Sequence, residues 1–161
     1  MANIADVKTD RMRFTKNKIS ANLSYVAILF NALYFISIYT SDVRDYYYNI
    51  EIGFSVIYNL LFMLFVFLSS EGVKSYDKKF SIFLTVLGAL QIVRIFKLPL
   101  TAYYTFIEIK KNQYLHVMES DQFFLCVAYL SISAICAIIG GVVGIIKSKK
   151  LSDYEKTLVQ E

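Results

Sequence analysis

Four long apolar runs constrain this chain more than any other feature of its sequence. They cover about residues 20–40, 49–70, 80–97 and 122–146. A helix needs about 20 residues to cross about 30 Å of hydrocarbon, and each run comes close to that length. None shows the apolar–polar alternation of a membrane β-barrel strand. Because backbone groups in lipid must be satisfied within the segment, the runs predict an all-α polytopic membrane protein, an antiparallel four-helix transmembrane bundle in one domain.

The distribution of basic residues predicts the orientation of this bundle. Twelve lie in the N-terminal tail, the second connection and the C-terminal tail, which share one side of the membrane. Three lie in the other two connections, or five if Arg94 and Lys97 are included. Under the positive-inside rule, both termini are expected to face the cytoplasm, in a plasma membrane with anionic lipid headgroups on that side. No nucleic-acid-binding pattern accompanies the net charge of +4.

The third run leaves two interpretations open. Pro99 follows Arg94 and Lys97, and residues 100–107 are apolar again. In the preferred interpretation the helix ends near Lys97 and residues 98–107 lie along the outer surface, because a charge at mid-membrane costs about 2.5–3.5 kcal/mol. In the alternative, one tilted helix kinked at Pro99 continues to about residue 109.

Charged and polar residues within the runs are the candidate functional residues. Glu51 and Arg94 are expected at similar depth in the outer half of the bundle, where they could form an intramembrane ion pair between neighbouring helices. Such a pair could be a gate, a proton-linked switch or an anion site. We favour a structural bridge, or two side chains that reach the headgroups separately.

A second set of polar residues is expected to form a layer near the middle of the bilayer. Counting from the helix ends places at this depth Asn31, Asn59, Gln91, Ser131 and Ser133. A structural clasp of interhelical hydrogen bonds is the interpretation that we favour, and the lining of a polar path is the alternative.

Small residues recur along one side of the fourth run and predict a helix-packing groove. They are Ser133, Ala137, Gly140, Gly141 and Gly144. Small side chains at this spacing allow another helix to approach closely. The pattern leaves open whether that helix belongs to this chain, to a second copy or to another membrane protein.

The chemistry of a catalytic or cofactor site is not evident in the sequence. His116 is the only histidine, and it is expected in an exposed loop. Cys126 and Cys136 lie about 15 Å apart on one predicted helix, too far for a disulfide. No nucleotide-binding motif and no nucleophile–base pair is present. We therefore expect no enzyme activity, metal or cofactor.

The four-span layout carries a family resemblance. Together with Tyr46, Tyr47 and Tyr48, and the sequence Gln-Ile-Val-Arg-Ile-Phe at 91–96, it resembles uncharacterised small four-span membrane proteins of anaerobic Gram-positive bacteria. The resemblance implies a bacterial cell membrane and brings no functional residues with it.

Two functions are compatible with these features. The leading hypothesis is a non-enzymatic accessory or scaffold subunit of a larger membrane assembly, for example one for transport, because soluble parts are minimal and the small-residue groove could receive a partner. The rival is a small homo-oligomeric channel or transporter that uses Glu51, Arg94 and the polar layer as its path.

Overall fold

The computed structural model describes the backbone of residues 4–40, 50–110 and 113–159, and the side chains of 7–40, 52–106 and 115–158. Within these ranges, six helices and one short hairpin follow one another along the chain. They are α1 (Ile4–Met12), α2 (Lys18–Tyr39), α3 (Ile50–Lys74), α4 (Lys78–Ile95), α5 (Leu98–Tyr104), β1 (Phe106–Lys110), β2 (Gln113–His116) and α6 (Ser120–Val159). The two strands pair antiparallel, with Ile107 opposite Leu115.

The predicted all-α bundle with four membrane-length spans is confirmed. Within the described part of the chain, α2, α3, α6 and the α4–α5 pair are each long and apolar enough to cross a bilayer. Their outward faces carry large apolar side chains such as Leu29, Phe54 and Ile135, each more than half exposed. Exposing so continuous an apolar surface to water would be unfavourable, whereas contact of this surface with lipid is favourable. The chain is therefore a membrane protein.

Helix α6 is the centre of the bundle. Both α2 and α4 pack along it, whereas α3 packs mainly against α2 and more weakly against α4. In α2 and α4 the buried residues recur every three or four positions, which places them on one face of each helix. These faces are unusually polar for a bundle core. They contain Asn31, Gln91 and Arg94, and Ser133 of α6 meets them.

The basic segments of the chain meet at one end of the bundle. The Asn17 backbone N–H donates to the Lys74 carbonyl (3.0 Å), and Lys147 Nζ donates to Asn17 Oδ1 (2.9 Å). Lys74 also pairs with Glu71 and donates to Tyr25 Oη (2.7 Å). The N-terminal tail, the 71–79 connection and the end of the apolar part of α6 are thus held together. Arg44, the tyrosines at 46–48 and Lys111 lie outside the described residues.

The third span ends close to the residue that the preferred interpretation gave for it. Helix α4 ends at Ile95, and after a break at Phe96 and Lys97 the chain resumes as α5, with Pro99 in its first turn. Proline is tolerated there because the first turn of a helix leaves its N–H groups unbonded. Residues 98–104 are helical and residues 106–110 form a strand, so that neither a single helix to residue 109 nor a helix-free surface segment describes them fully.

Helix α6 includes the predicted fourth span at 122–146 and continues to Val159, so that the charged residues 147–159 are helical as well. One prediction needs correction. His116 is not an exposed loop residue but belongs to β2, where it is half-buried. Its ring stacks on Tyr103 with centroids 5.2 Å apart, and its Nδ1 lies 2.6 Å from the Tyr103 carbonyl oxygen.

Candidate functional site: a buried arginine beside an intramembrane cavity

Arg94 lies inside the bundle, level with Asn31 of α2. Its guanidinium donates to Asn31 Oδ1 (3.1 Å), and Asn31 is eight residues, or about 12 Å, from the end of α2 at Tyr39. Only 8% of Arg94 is exposed. The side chain therefore does not reach the headgroups separately, as one of the predicted alternatives held. Its burial follows from the packing of the same face of α4 that buries Gln91, one turn earlier.

Two tyrosine rings enclose the guanidinium. Its Cζ lies 4.5 Å from the centre of the Tyr34 ring and 4.7 Å from that of Tyr58. An arginine within about 6 Å of an aromatic ring gains about 0.5–2 kcal/mol from the negative ring face. Arg94 NH2 also lies 3.4 Å from Ser55 Oγ. These contacts with α2 and α3 offset part of the cost of placing a cation in an apolar environment.

No described carboxylate compensates the charge of Arg94. Among the side chains that the structure describes, the ion pairs are Arg13–Asp10 and Lys74–Glu71, and both lie at the basic end. The predicted partner Glu51 belongs to α3, four residues before Ser55, and its side chain lies outside the described residues. The two hydrogen bonds from Arg94 to described side chains use two of the five N–H donors of a guanidinium.

Three members of the predicted polar layer meet, and Arg94 joins them. Gln91 Nε2 donates to Asn31 Oδ1 (2.7 Å) and lies 3.4 Å from Ser133 Oγ, which donates to the Ala27 carbonyl (2.8 Å). This set links α2, α4 and α6, and we call Asn31, Gln91, Arg94 and Ser133 the Arg94 cluster. It leaves Asn31 Nδ2 and Gln91 Oε1 without a hydrogen-bond partner among the described residues.

The other two members of the predicted layer remain outside this cluster. Asn59 is buried, but its Nδ2 donates to the Ser55 carbonyl of its own helix (2.9 Å). Ser131 is half-buried, and in the described part of the chain it shares no hydrogen bond with the cluster. Equal depth in the bilayer therefore did not bring all five side chains together.

The small-residue groove of α6 is filled by helices of this chain. At Gly140 an added Cβ would lie 3.2 Å from the Ser20 carbonyl oxygen of α2, and at Gly144 it would lie 3.0 Å from Ser81 Cβ of α4. Gly141 faces α4 as well, with an added Cβ 2.7 Å from the Ser81 carbonyl oxygen. Ala137 is fully buried in the same core. Of the open alternatives, packing within the chain is the one observed.

A cavity of about 810 Å³ opens between α3 and the α4–α5 pair and reaches Arg94. We call it the Arg94 cavity. Much of its apolar wall belongs to side chains on the outer surface of the bundle, such as Phe54, Ile57 and Val93, so that it faces the lipid. Its lining consists of Phe54, Ser55, Ile57, Tyr58, Leu61, Leu90, Val93, Arg94, Lys97, Leu98 and Thr101.

Tyr34, Ser55 and Tyr58 are site residues that the sequence interpretation did not include. A signal for them was present: Tyr34 follows Asn31 by three residues, and Tyr58 follows Ser55 by three, a spacing that puts each pair on one helix face. An aromatic ring at this spacing from a buried polar group indicates a place where a cation can be sheltered.

Comparison with known proteins identifies no relative. No family model, no curated protein and no solved structure matches the chain.

Proposed function

We propose that this chain is a non-enzymatic membrane component that binds an anionic ligand within the bilayer, at Arg94. The observation that carries the proposal is a nine-tenths buried guanidinium, without a described carboxylate partner, at the wall of an open cavity. A charged group inside a membrane is expensive, and a role in binding or transport is the default hypothesis for such a residue.

The lining of the cavity favours binding over an aqueous pore. Most of the wall is apolar, and the polar side chains are Ser55, Tyr58, Arg94, Lys97 and Thr101. Channels that carry ions line their path with charged side chains or backbone carbonyls along its length. Of the rival hypothesis of a channel or transporter, the lining supports only the binding of an anion that enters from the side. Transport of that anion across the membrane is measured separately, by flux into vesicles.

The scaffold hypothesis loses one of its grounds, since the groove of small residues on α6 that could receive a partner helix is occupied by α2 and α4 of this chain. Its other ground, the minimal soluble parts of the chain, is unaffected. An anion-binding component can still serve a larger membrane assembly. In that case a partner would supply the pathway, and this chain would hold or present the ligand.

The proposal places the protein in a bacterial plasma membrane with both termini in the cytoplasm. The meeting of the basic segments at one end of the bundle supports this orientation, since such segments are held on the cytoplasmic side. Their partners there are anionic lipid headgroups. The bacterial assignment rests on the resemblance alone. The orientation is tested by introducing Ser75→Cys in a cysteine-free background and adding a membrane-impermeant thiol reagent to intact cells. If the introduced cysteine is labelled from outside, the proposed orientation is wrong.

Anion binding is tested by the thermal stability of the purified protein in a neutral detergent. Inorganic phosphate, acetate and a carboxylate detergent are titrated separately. A ligand at 100 times its dissociation constant stabilises the folded state by about 2.7 kcal/mol, so binding raises the melting temperature. We expect at least one anion to do so for the natural chain. Flux of the same anion is then measured in vesicles that contain only this protein.

Arg94→Gln and Arg11→Gln make a matched pair for this test. Arg94→Gln should remove the stabilisation, because it deletes the charge and keeps hydrogen-bonding groups in the cluster. Arg11→Gln makes the same change at an exposed position of α1, at the basic end, and should leave it intact. If neither variant differs from the natural chain, the anion is bound elsewhere and the proposal is wrong.

A further inference from the structure

The Arg94 cavity contains two chemically distinct parts. Arg94, Lys97 and Ser55 gather where α3 faces the junction of α4 and α5. The remainder is an apolar wall that includes Phe54, Leu61 and Leu90. A volume of about 810 Å³ is within the range of sites that enclose a whole small ligand, about 300–1,000 Å³. A small hydrophilic anion would leave most of this wall uncovered.

The charge of the lining selects the sign of the ligand. Among the described residues that line the cavity, Arg94 and Lys97 are cations and none is an acid. The Arg94 donors that no described side chain occupies can bind two oxygens of one carboxylate or phosphate side by side, which a guanidinium does better than an ammonium. A neutral or cationic ligand would leave the buried charge uncompensated.

We propose that the Arg94 cavity holds an anionic amphiphile, with its carboxylate or phosphate on the Arg94 guanidinium and its acyl chain along the apolar wall between α3 and α4. The inference rests on the proposed anion-binding function and adds the class of ligand. Since large side chains of the wall are exposed on the outer surface of the bundle, the chain of the ligand enters from the lipid, sideways between the helices. Lys97, at the exposed edge of the cavity, meets the headgroup first.

A tryptophan reporter tests this assignment, because the natural chain contains no tryptophan. Leu90→Trp places the reporter in the cavity wall, and Ile135→Trp places a control on the exposed face of α6. Each protein is inserted in phosphatidylcholine vesicles with a small, equal fraction of brominated phosphatidic acid or brominated phosphatidylcholine. We expect the anionic lipid to quench the Leu90→Trp protein at about a tenfold lower fraction than the neutral one, as for a hydrogen-bonded charge. Both lipids should quench the Ile135→Trp protein equally.

Two further variants show whether Arg94 and the wall cause this preference. Arg94→Gln in the Leu90→Trp protein should abolish it, whereas Arg94→Lys should keep part of it. If Arg94→Gln fails to fold, Val93→Phe serves instead. It fills the cavity from its exposed side, leaves Arg94 and its hydrogen bonds unchanged, and should weaken the quenching by either lipid. An unchanged preference in Arg94→Gln, or quenching by brominated phosphatidic acid that Val93→Phe leaves unchanged, would overturn the assignment.

The remaining outcomes separate this inference from the function on which it rests. If inorganic phosphate stabilises the protein through Arg94 but brominated phosphatidic acid shows no preference, the site binds free anions and only the amphiphile is wrong. If neither binds, the anion-binding function fails as well. If the Leu90→Trp protein shows no preference and adding Glu51→Gln to it creates one, Glu51 is the partner of Arg94, and the assignment of a ligand to the natural chain is overturned.

Discussion

The two sides of α4 are built on different principles. Toward α6 the helices approach so closely that their small residues determine the spacing: an added Cβ on Gly88 would lie 2.7 Å from Ile138 Cγ1. Toward α3 the same helix packs loosely and leaves a cavity of about 810 Å³ beside Arg94. Only the first arrangement stabilises a bundle in lipid, where association depends on close packing and hydrogen bonds.

The two interfaces therefore have different roles. The interface of α2, α4 and α6 stabilises the fold, and substitutions of its residues should lower the free energy of unfolding. The α3 side contains empty space and a buried charge, both of which lower stability, and a bound ligand would offset that cost. Three substitutions can break or sharpen this comparison.

The largest effect is expected for Gly141→Ala. The new Cβ would lie 2.7 Å from the Ser81 carbonyl oxygen and 2.8 Å from the Thr85 backbone nitrogen, atoms that can move only if the helices separate. Overpacking of this kind costs about 1–3 kcal/mol, of which alanine's better helix propensity recovers up to about 1. We expect a net loss of about 1–2 kcal/mol in the free energy of unfolding, measured by SDS titration in mixed micelles.

Gly53→Ala is the matched control on α3. Nothing lies within 4 Å of an added Cβ at Gly53, so the same substitution should be neutral or should stabilise the helix by up to about 1 kcal/mol. Equal losses at both glycines would show that α3 is packed as closely as α6, and the comparison would be lost.

An intermediate effect is expected for Ser133→Ala. This hydroxyl donates to the Ala27 carbonyl of α2 and lies within hydrogen-bond distance of Gln91 Nε2 of α4. Interhelical hydrogen bonds in membranes are worth about 0.6 kcal/mol each, so the variant should lose about 1 kcal/mol in the same titration. Ser131→Ala, two residues earlier on the same helix and outside the cluster, should change stability by less than about 0.5 kcal/mol. A larger loss of stability in Ser131→Ala than in Ser133→Ala would contradict the assignment of Ser133, rather than Ser131, to the Arg94 cluster.

The sequence predicted the features that depend on distance along a helix, namely the spans and the depth of their polar residues. It did not predict the features that depend on the direction in which a side chain points from the helix axis. Run length and hydropathy predicted four spans, and counting from helix ends placed Asn31, Gln91 and Ser133 at one depth. Counting does not say which way a side chain points. The tyrosines that enclose Arg94 and the helices that fill the groove at Gly140 follow from the packing of distant segments. The helix end near Lys97 was predicted, but the short helix after it was not, because Pro99 is compatible with either a kink or a new first turn.

The smallest effect, and the sharpest test of this distinction, is expected for Asn59→Leu. Asn31 and Asn59 share an aromatic–Asn–x–Leu–aromatic pattern in the sequence. Asn31 Oδ1 accepts from both Gln91 and Arg94, whereas Asn59 donates only to its own helix and its Oδ1 has no partner among the described residues. Because a buried polar atom without a partner costs free energy, replacing Asn59 by leucine should leave the free energy of unfolding unchanged or raise it slightly.

Asn31→Leu is the matched substitution, and it should lower stability by about 1–3 kcal/mol because it leaves the Arg94 N–H donors with one acceptor fewer. It should also weaken anion binding, whereas Asn59→Leu should not. A loss at Asn59 as large as that at Asn31 would mean that the α3 side contributes a polar contact to the fold. The cavity would then belong to the structural framework of the bundle, and the burial of Arg94 would no longer support a bound ligand.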